Sequence, residues 1–282
     1  MTFILRAFLD FIAVLSPKIK RPYIVILNYH SISKNDPNNS DKWSISANMF
    51  DKQMKYLVDN NAEIISLSDI ENIYLKNFSN NKFYVCITFD DGFEDNYNNA
   101  IPILKKYGIN NATFFIVVDS LINNFDTAWW VENNKNSKLM NVEQIKNLRN
   151  NGYEVGSHAL SHQNFKNVND NELEKELIIS KKILDDKCNV NCKSIAIPFS
   201  ISGNPKKERI VKDICSKNGY NFSFLGRFGY VKNKNYNRTD LPRIPIYGFD
   251  SMKTFILKVN GKFNLVSKIY YLRKKIRYIF SV

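Results

Sequence analysis

Two carboxylates stand side by side at Asp90 and Asp91, at the end of the apolar run Tyr84-Val85-Cys86-Ile87-Thr88-Phe89 and directly before Gly92. A β-branched apolar run closed by a glycine reads as a buried strand with a turn at its tip. Two adjacent anions in such a place repel each other, so one takes up a proton unless a cation sits with them. A divalent metal is the usual cation, and partners for it stand downstream in Ser157-His158-Ala159-Leu160-Ser161-His162, after the strand-like residues 152–157. The spacing of His158 and His162 puts both imidazoles on one side of a helical turn. Two imidazoles and one carboxylate leave coordination positions open, as a catalytic metal requires. The second carboxylate is then free to act as a general base on metal-bound water. The chain has 3 histidines, and the remaining one, His30, also closes a strand-like run.

These residues need elements to hold them. Residues 23–30, 63–67, 84–89, 112–118, 193–197, 220–225 and 241–247 read as strands, and 46–60, 67–75, 97–107, 141–150, 169–184 and 205–217 as helices. Ser46 is the expected N-cap of the first helix, and Asn169 with Glu172 makes a capping-box start to the long one. Gly108 and Gly152 are expected to close two others. Alternation of strand and helix with short connections indicates parallel strands joined by crossover helices, in an open sheet or a barrel. No glycine-rich dinucleotide fingerprint follows a strand. Candidate residues at the C-terminal ends of separate strands match the layout of a barrel active site. The expected organisation is an apolar helix over 1–20, a barrel domain over 21–250 and a basic amphipathic helix within 251–282.

With 40 Lys and Arg against 27 Asp and Glu, the 282-residue chain carries a net charge of +13. Such an excess suits anionic partners (nucleic acid, a membrane surface, an acidic glycan) or serves solubility. Cys86 reads as a core residue, and Cys188 and Cys192 lack the second pair a zinc site needs, so a reducing compartment is expected. Residues 1–15 are apolar but too few to span a bilayer, which takes about 20. They lack the layout of a signal peptide. An interfacial helix and a helix packed on the domain both fit, with Lys18, Lys20 and Arg21 favouring the membrane. In 262–280, Leu265, Ile269, Leu272, Ile276 and Ile279 form an apolar stripe among Lys268, Arg273, Lys274, Lys275 and Arg277. That pattern suits an anionic membrane, or a helix packed on the barrel with its basic face in water.

Thr88-Phe89-Asp90-Asp91-Gly92, combined with Ser157 to His162, resembles the polysaccharide deacetylases (the NodB-homology or carbohydrate esterase family 4 domain) over about residues 23–247. The resemblance implies a distorted (β/α) barrel, here with extra terminal helices, and metal-dependent removal of acetyl groups from N-acetylated sugars. It implies that Asp90 is the base and that Asp91, His158 and His162 hold one divalent metal, zinc by expectation, with iron, manganese or cobalt as alternatives. The family's third motif keeps its Pro-aromatic pair at Pro198-Phe199 but lacks the usual arginine, and Tyr29-His30 matches a subgroup that has alanine there. No histidine follows His162 to serve as the family's late general acid. His30 is expected to fill that role, the alternative being a hydrogen bond inside the barrel mouth. Arg243 is expected to orient Asp90, or to be a surface arginine at a strand end. Trp129 and Trp130, with Pro198 and Phe199, are expected at the sugar site, the tryptophans lining its rim or packing beneath it.

The expected reaction is amide hydrolysis, with Asp90 taking a proton and His30 protonating the departing amine. The substrate would be an N-acetylated glycan or a lipid- or nucleotide-linked sugar, met in the cytoplasm or peripherally at the inner face of the membrane. A catalytically silent glycan-binding or membrane-surface protein on the same fold is the alternative, and nucleic-acid binding, resting on charge alone, ranks last.

Overall fold

The computed structural model describes residues 3–35, 41–75, 82–122, 138–232 and 236–279. Helix α1 (Phe3–Leu15) leads into β1 (Ile24–Tyr29), followed by β2 (Ser31–Ser33), β3 (Ser44–Ser46), α2 (Ala47–Asp59), β4 (Ala62–Ile64), α3 (Asp69–Leu75) and β5 (Phe83–Phe89). Next come α4 (Ile101–Lys106), β6 (Ala112–Ile116), α5 (Val142–Asn150), β7 (Glu154–Ser157), α6 (Asp170–Cys188), β8 (Ser194–Ala196) and α7 (Pro205–Lys217). The chain continues with β9 (Phe222–Phe224), β10 (Ile244–Pro245), α8 (Met252–Val259) and α9 (Asn264–Ile279).

Local chemistry starts these helices where the sequence places them. The Ser46 hydroxyl accepts from the Met49 amide, and Asn141 and Gln144 close a reciprocal capping box on α5. Asn169 accepts from the Glu172 amide, and Asn189 ends α6 in the left-handed conformation. Three differences from the sequence expectation stand out. Residues 31–42, rich in Asn, Ser and Asp and read from the sequence as a polar loop between the first strand and the first helix, contain β2, which pairs in parallel with β3. The helix expected over 97–107 begins as a π-helical turn at Asn96–Ala100 before α4. Ahead of the expected helix in 262–280 lies α8, which the sequence reading missed.

The strands form a parallel sheet in the order β10-β1-β5-β6-β7-β8-β9, with β4 beside the first half of β5 and β6 beside its second half. The sheet curls, and the segment after β9 closes the seam irregularly. The Gly229 amide donates to the Arg243 carbonyl, and Val231 makes an antiparallel bridge to Ile24. The result is a distorted (β/α) barrel.

Period-two alternation sorts the strand residues into two packed layers. Val25, Leu27 and Tyr29 of β1 and Val85, Ile87 and Phe89 of β5 face the helices, in the cluster that includes Phe50, Leu104, Leu177 and Phe255. Ile24, Ile26, Tyr84, Cys86, Phe115, Phe224 and Leu241 fill the barrel interior. Each such side chain contributes roughly 1.5–3 kcal/mol of burial. The inner parity runs on past the strand ends: 24, 26, 28, 30 on β1, 84, 86, 88, 90 on β5, and 241, 243 before β10. His30, Asp90 and Arg243 therefore enter the barrel mouth. β7 follows the same rule through Gly156 to His158, and a Cβ at Gly156 would stand 2.5 Å from the Phe115 ring.

Helices α1, α8 and α9 pack together. Thr254 donates to the Asp10 carboxylate, and Lys262 donates to the carbonyls of Val14 and Ser16. Helix α9 rests on the barrel through Val266 and Ser267, whereas Leu265, Ile269, Leu272 and Ile276 face outward. It is a packed helix, as one alternative expected, but it packs through the face opposite its apolar stripe.

Candidate active site

Asp90 and Asp91 follow β5, and the Asp90 amide still donates to the Tyr29 carbonyl, extending the pairing with β1. Directly afterwards the chain turns through two left-handed residues, Asp91 at φ 74° and Gly92 at φ 80°. A left-handed aspartate is uncommon and is held here by its surroundings. Gly92 answers both the φ and the space, since a Cβ there would lie 3.2 Å from the Ile116 side chain and 3.4 Å from its Cα. The turn separates the two carboxylates into different partnerships.

Asp91 faces the histidines. Its Oδ1 lies 3.1 Å from His158 Nε2 and 3.2 Å from His162 Nε2. The helical turn expected to align these imidazoles does not exist. Residues 158–162 are a loop in which Ala159 (φ 66°) and His162 (φ 57°) are left-handed, and that bending turns both rings toward Asp91. The sequence reading missed the residue that holds this loop. Glu176 of α6, itself buried, accepts from the amides of Leu160 and Ser161, each at 2.9 Å, and from the Ser161 hydroxyl. Its only sequence signal is an acidic residue on the Leu173–Leu177–Ser180 face of α6, which is buried.

Burial alone would raise the Asp91 carboxyl, but hydrogen bonds from His158 and His162 hold it well below the ordinary range. His158 Nδ1 lies 2.8 Å from the carbonyl of Ala196. A carbonyl can only accept, so Nδ1 carries a proton there, and Nε2 is the nitrogen left to face the Asp91 oxygen. An imidazole nitrogen and a carboxylate oxygen at that distance are joined either by a proton on the nitrogen or by a cation bound to both. Asp91, His158 and His162 have ligand atoms within 4.8 Å of one another, and they supply the nitrogen and oxygen donors that divalent zinc accepts. The chain's own donor set fits a metal.

Asp90 faces the other way. Arg243 donates Nη1 to Oδ1 at 2.6 Å and Nη2 to Oδ2 at 2.7 Å, a bidentate pair buried on both sides. Its guanidinium also lies over the ring of Phe224 at 4.8 Å. Arg243 is thus a buried partner of Asp90 and not a surface arginine. Burial would raise Asp90, but the charges of Arg243 and His158 outweigh it and keep the carboxyl below its ordinary range. His30 Nε2 stands 4.0 Å from Asp90 Oδ2, and the imidazole stacks on Trp43 with ring centroids 4.2 Å apart. Burial depresses its pKa more than the nearby aspartates raise it. Trp43, which the sequence reading did not single out, continues an aromatic row to Tyr247 at 5.1 Å.

Of the residues expected at the sugar site, Pro198 is buried, while Phe199 is 60% exposed and stands against His162 with centroids 4.9 Å apart. Trp129 and Trp130 lie outside the described residues.

The sequence profile of polysaccharide deacetylase matches residues 78–222. The poly-β-1,6-N-acetyl-D-glucosamine N-deacetylase of Staphylococcus aureus is 30% identical over 249 residues, 81% of this chain and 80% of that protein. The Bacillus subtilis protein YxkH is 29% identical over 161 residues, 57% of this chain and 51% of its own, so the match spans about half of that relative. Among solved structures, the Streptococcus pyogenes deacetylase PplD superposes with a TM-score of 0.69 at 23% identity, covering 86% of this chain and 99% of that one. IcaB from Ammonifex degensii gives 0.69 at 19% identity, covering 87% and 99%. At these identities the structural matches speak for the fold.

Proposed function

The chain belongs to the polysaccharide deacetylase family, and from that premise we propose that it hydrolyses the acetamido group of an N-acetylated hexosamine glycan, releasing acetate. The observation that carries the reading is the division of labour between neighbouring carboxylates: Asp91 with two imidazoles, Asp90 with a bidentate guanidinium. A polymer of β-1,6-linked N-acetylglucosamine, on which the S. aureus relative is named as acting, is the proposed substrate class.

Asp91, His158 and His162 would hold one divalent metal, proposed as zinc. When bound, such an ion supplies Lewis acidity toward the acetyl carbonyl and acidifies water at neutral pH. The remaining work falls to the chain's own side chains. Arg243 keeps Asp90 ionised and fixed, taking one lone pair from each oxygen and leaving others free. Asp90 is thereby ready to take a proton from the attacking water. His30, braced by Trp43 and 4.0 Å from Asp90, is placed to protonate the nitrogen as the C–N bond breaks, and the burial that lowers its pKa makes the imidazolium the readier proton donor. Phe199 offers an exposed ring at the rim on which the apolar face of a sugar can rest.

The test is acetate release from N-acetylglucosamine oligomers by protein loaded with zinc, beside Asp90→Asn, Asp91→Ala and His30→Ala. Activity lost in all three is the expected result. Full activity in His30→Ala would remove its role as acid. A wild type that binds the oligomers and zinc without releasing acetate would replace the hydrolase with a glycan-binding protein.

A further inference from the structure

The outward stripe of α9 is a feature the proposed chemistry leaves unused. On an α-helix turning about 100° per residue, Leu265, Ile269, Leu272 and Ile276 fall within a sector of roughly 60°. All four are exposed, at 41–58%. Lys268 and Lys275 flank the sector on one side and Arg273 on the other, and all three are exposed. The opposite face carries the packing: Val266 and Ser267 are buried, and Lys274 Nζ donates to Ser200 Oγ at 2.7 Å. An amphipathic helix that packs by its other side and turns its apolar stripe to solvent has no internal reason for that stripe. Helix α1, packed beside it, adds Phe11 at 60% and Leu15 at 68% exposure, with Lys18 and Lys20 exposed just beyond.

We propose that α9, with the exposed side of α1, is a docking face for an anionic lipid surface. Charge complementarity selects this occupant: apolar side chains in a narrow sector with cations on both shoulders suit acyl chains beneath anionic headgroups. A second copy of the same face would instead set those cations against each other. The attachment is peripheral, since among the described residues no helix is long and apolar enough to cross a membrane. The docking face is coupled to the candidate site. Ser200, held by Lys274, follows Phe199, the exposed ring against His162. The inner side of the lipid-facing helix thus braces one rim of the pocket, and docking would bring that rim within about one helix diameter, roughly 10 Å, of the headgroups.

The experiment is co-sedimentation of the full chain with vesicles of phosphatidylglycerol mixed into phosphatidylcholine, or of phosphatidylcholine alone. Binding is expected only with the anionic lipid and weakens as salt rises. It should fall at least tenfold in Leu272→Glu/Ile276→Glu, and equally in Lys268→Ala/Arg273→Ala/Lys275→Ala, which keeps the apolar stripe and guards against misfolding of the first variant. Asp91→Ala should bind as wild type, which separates lipid docking from the metal site and from the hydrolase reading. Absence of binding to either vesicle overturns the proposal. So does unchanged binding in both variants, or a dimer in light scattering that dissolves in Leu272→Glu/Ile276→Glu.

Discussion

Replacing Arg243 by Met would strand Asp90. The residue is 3% exposed, and both of its carboxylate oxygens accept from the guanidinium, at 2.6 and 2.7 Å. Hydrogen bonds to a charged group contribute about 1.5–3 kcal/mol each, and removing one member of a buried pair typically costs about 3–5 kcal/mol. Against a total stability of about 5–15 kcal/mol, that is a large share. The sign with pH identifies the cause. In wild type Asp90 is held below its ordinary pKa, so its contribution is present above the unfolded value and is lost as pH falls through the folded one. Without Arg243 the burial that raises the carboxyl loses its main opponent, and the folded protein disfavours the ionised form. The gap between the two proteins should therefore be widest near neutral pH and narrow below about pH 4, the range where a free aspartate takes up its proton. Urea unfolding at both pH values measures it. The double variant Arg243→Met/Asp90→Asn should recover most of the loss, because removing both charges leaves none unpaired. A neutral-pH penalty under about 1 kcal/mol, or one that does not change with pH, would refute this account of the pair.

Glu176→Ala should leave the Leu160 and Ser161 amides without their acceptor, costing about 1–3 kcal/mol for each group left unsatisfied and lowering zinc affinity about 10–100-fold; competition with a chromogenic chelator reads the second effect. Gly92→Ala puts a Cβ at φ 80° against Ile116 and should destabilise by about 1–3 kcal/mol in thermal unfolding, with metal stoichiometry reduced as Asp91 shifts. Burial lowers Lys274 to about 8, so between pH 8 and 10.5 the unfolded chain holds the extra proton and this group's contribution to stability rises with pH. Lys274→Met should therefore gain on wild type below pH 8 and lose that advantage toward pH 10.5. The expected size is about 1–2 kcal/mol, roughly half the full-burial value because the amine is partly solvated, and urea midpoints across that range check it.

Much of this protein was legible in one dimension because it is decided by neighbours in the chain. Ser46, Asn141 and Asn169 cap helices through amides three residues on, and the parity of β1 and β5 sends His30 and Asp90 into one interior. The Asp-Asp-Gly tip with the two later histidines named the family and the donor set. Period and spacing also showed that α9 carries an apolar stripe, but not which way it faces, since an amphipathic pattern is the same whether the stripe meets core or solvent. That choice fell to the packing of Val266 and Ser267 against the barrel.

The loop holding His158 and His162 was misread as a helical turn because a spacing of four fits both, and only Glu176 reaching across from α6 selects the bent form. Arg243 stands 153 residues from Asp90, and nothing local distinguishes it from a surface arginine. It becomes the partner of Asp90 because β10 and β5 both pair with β1, bringing the two strand ends together in a low-dielectric mouth where neither charge would be stable alone.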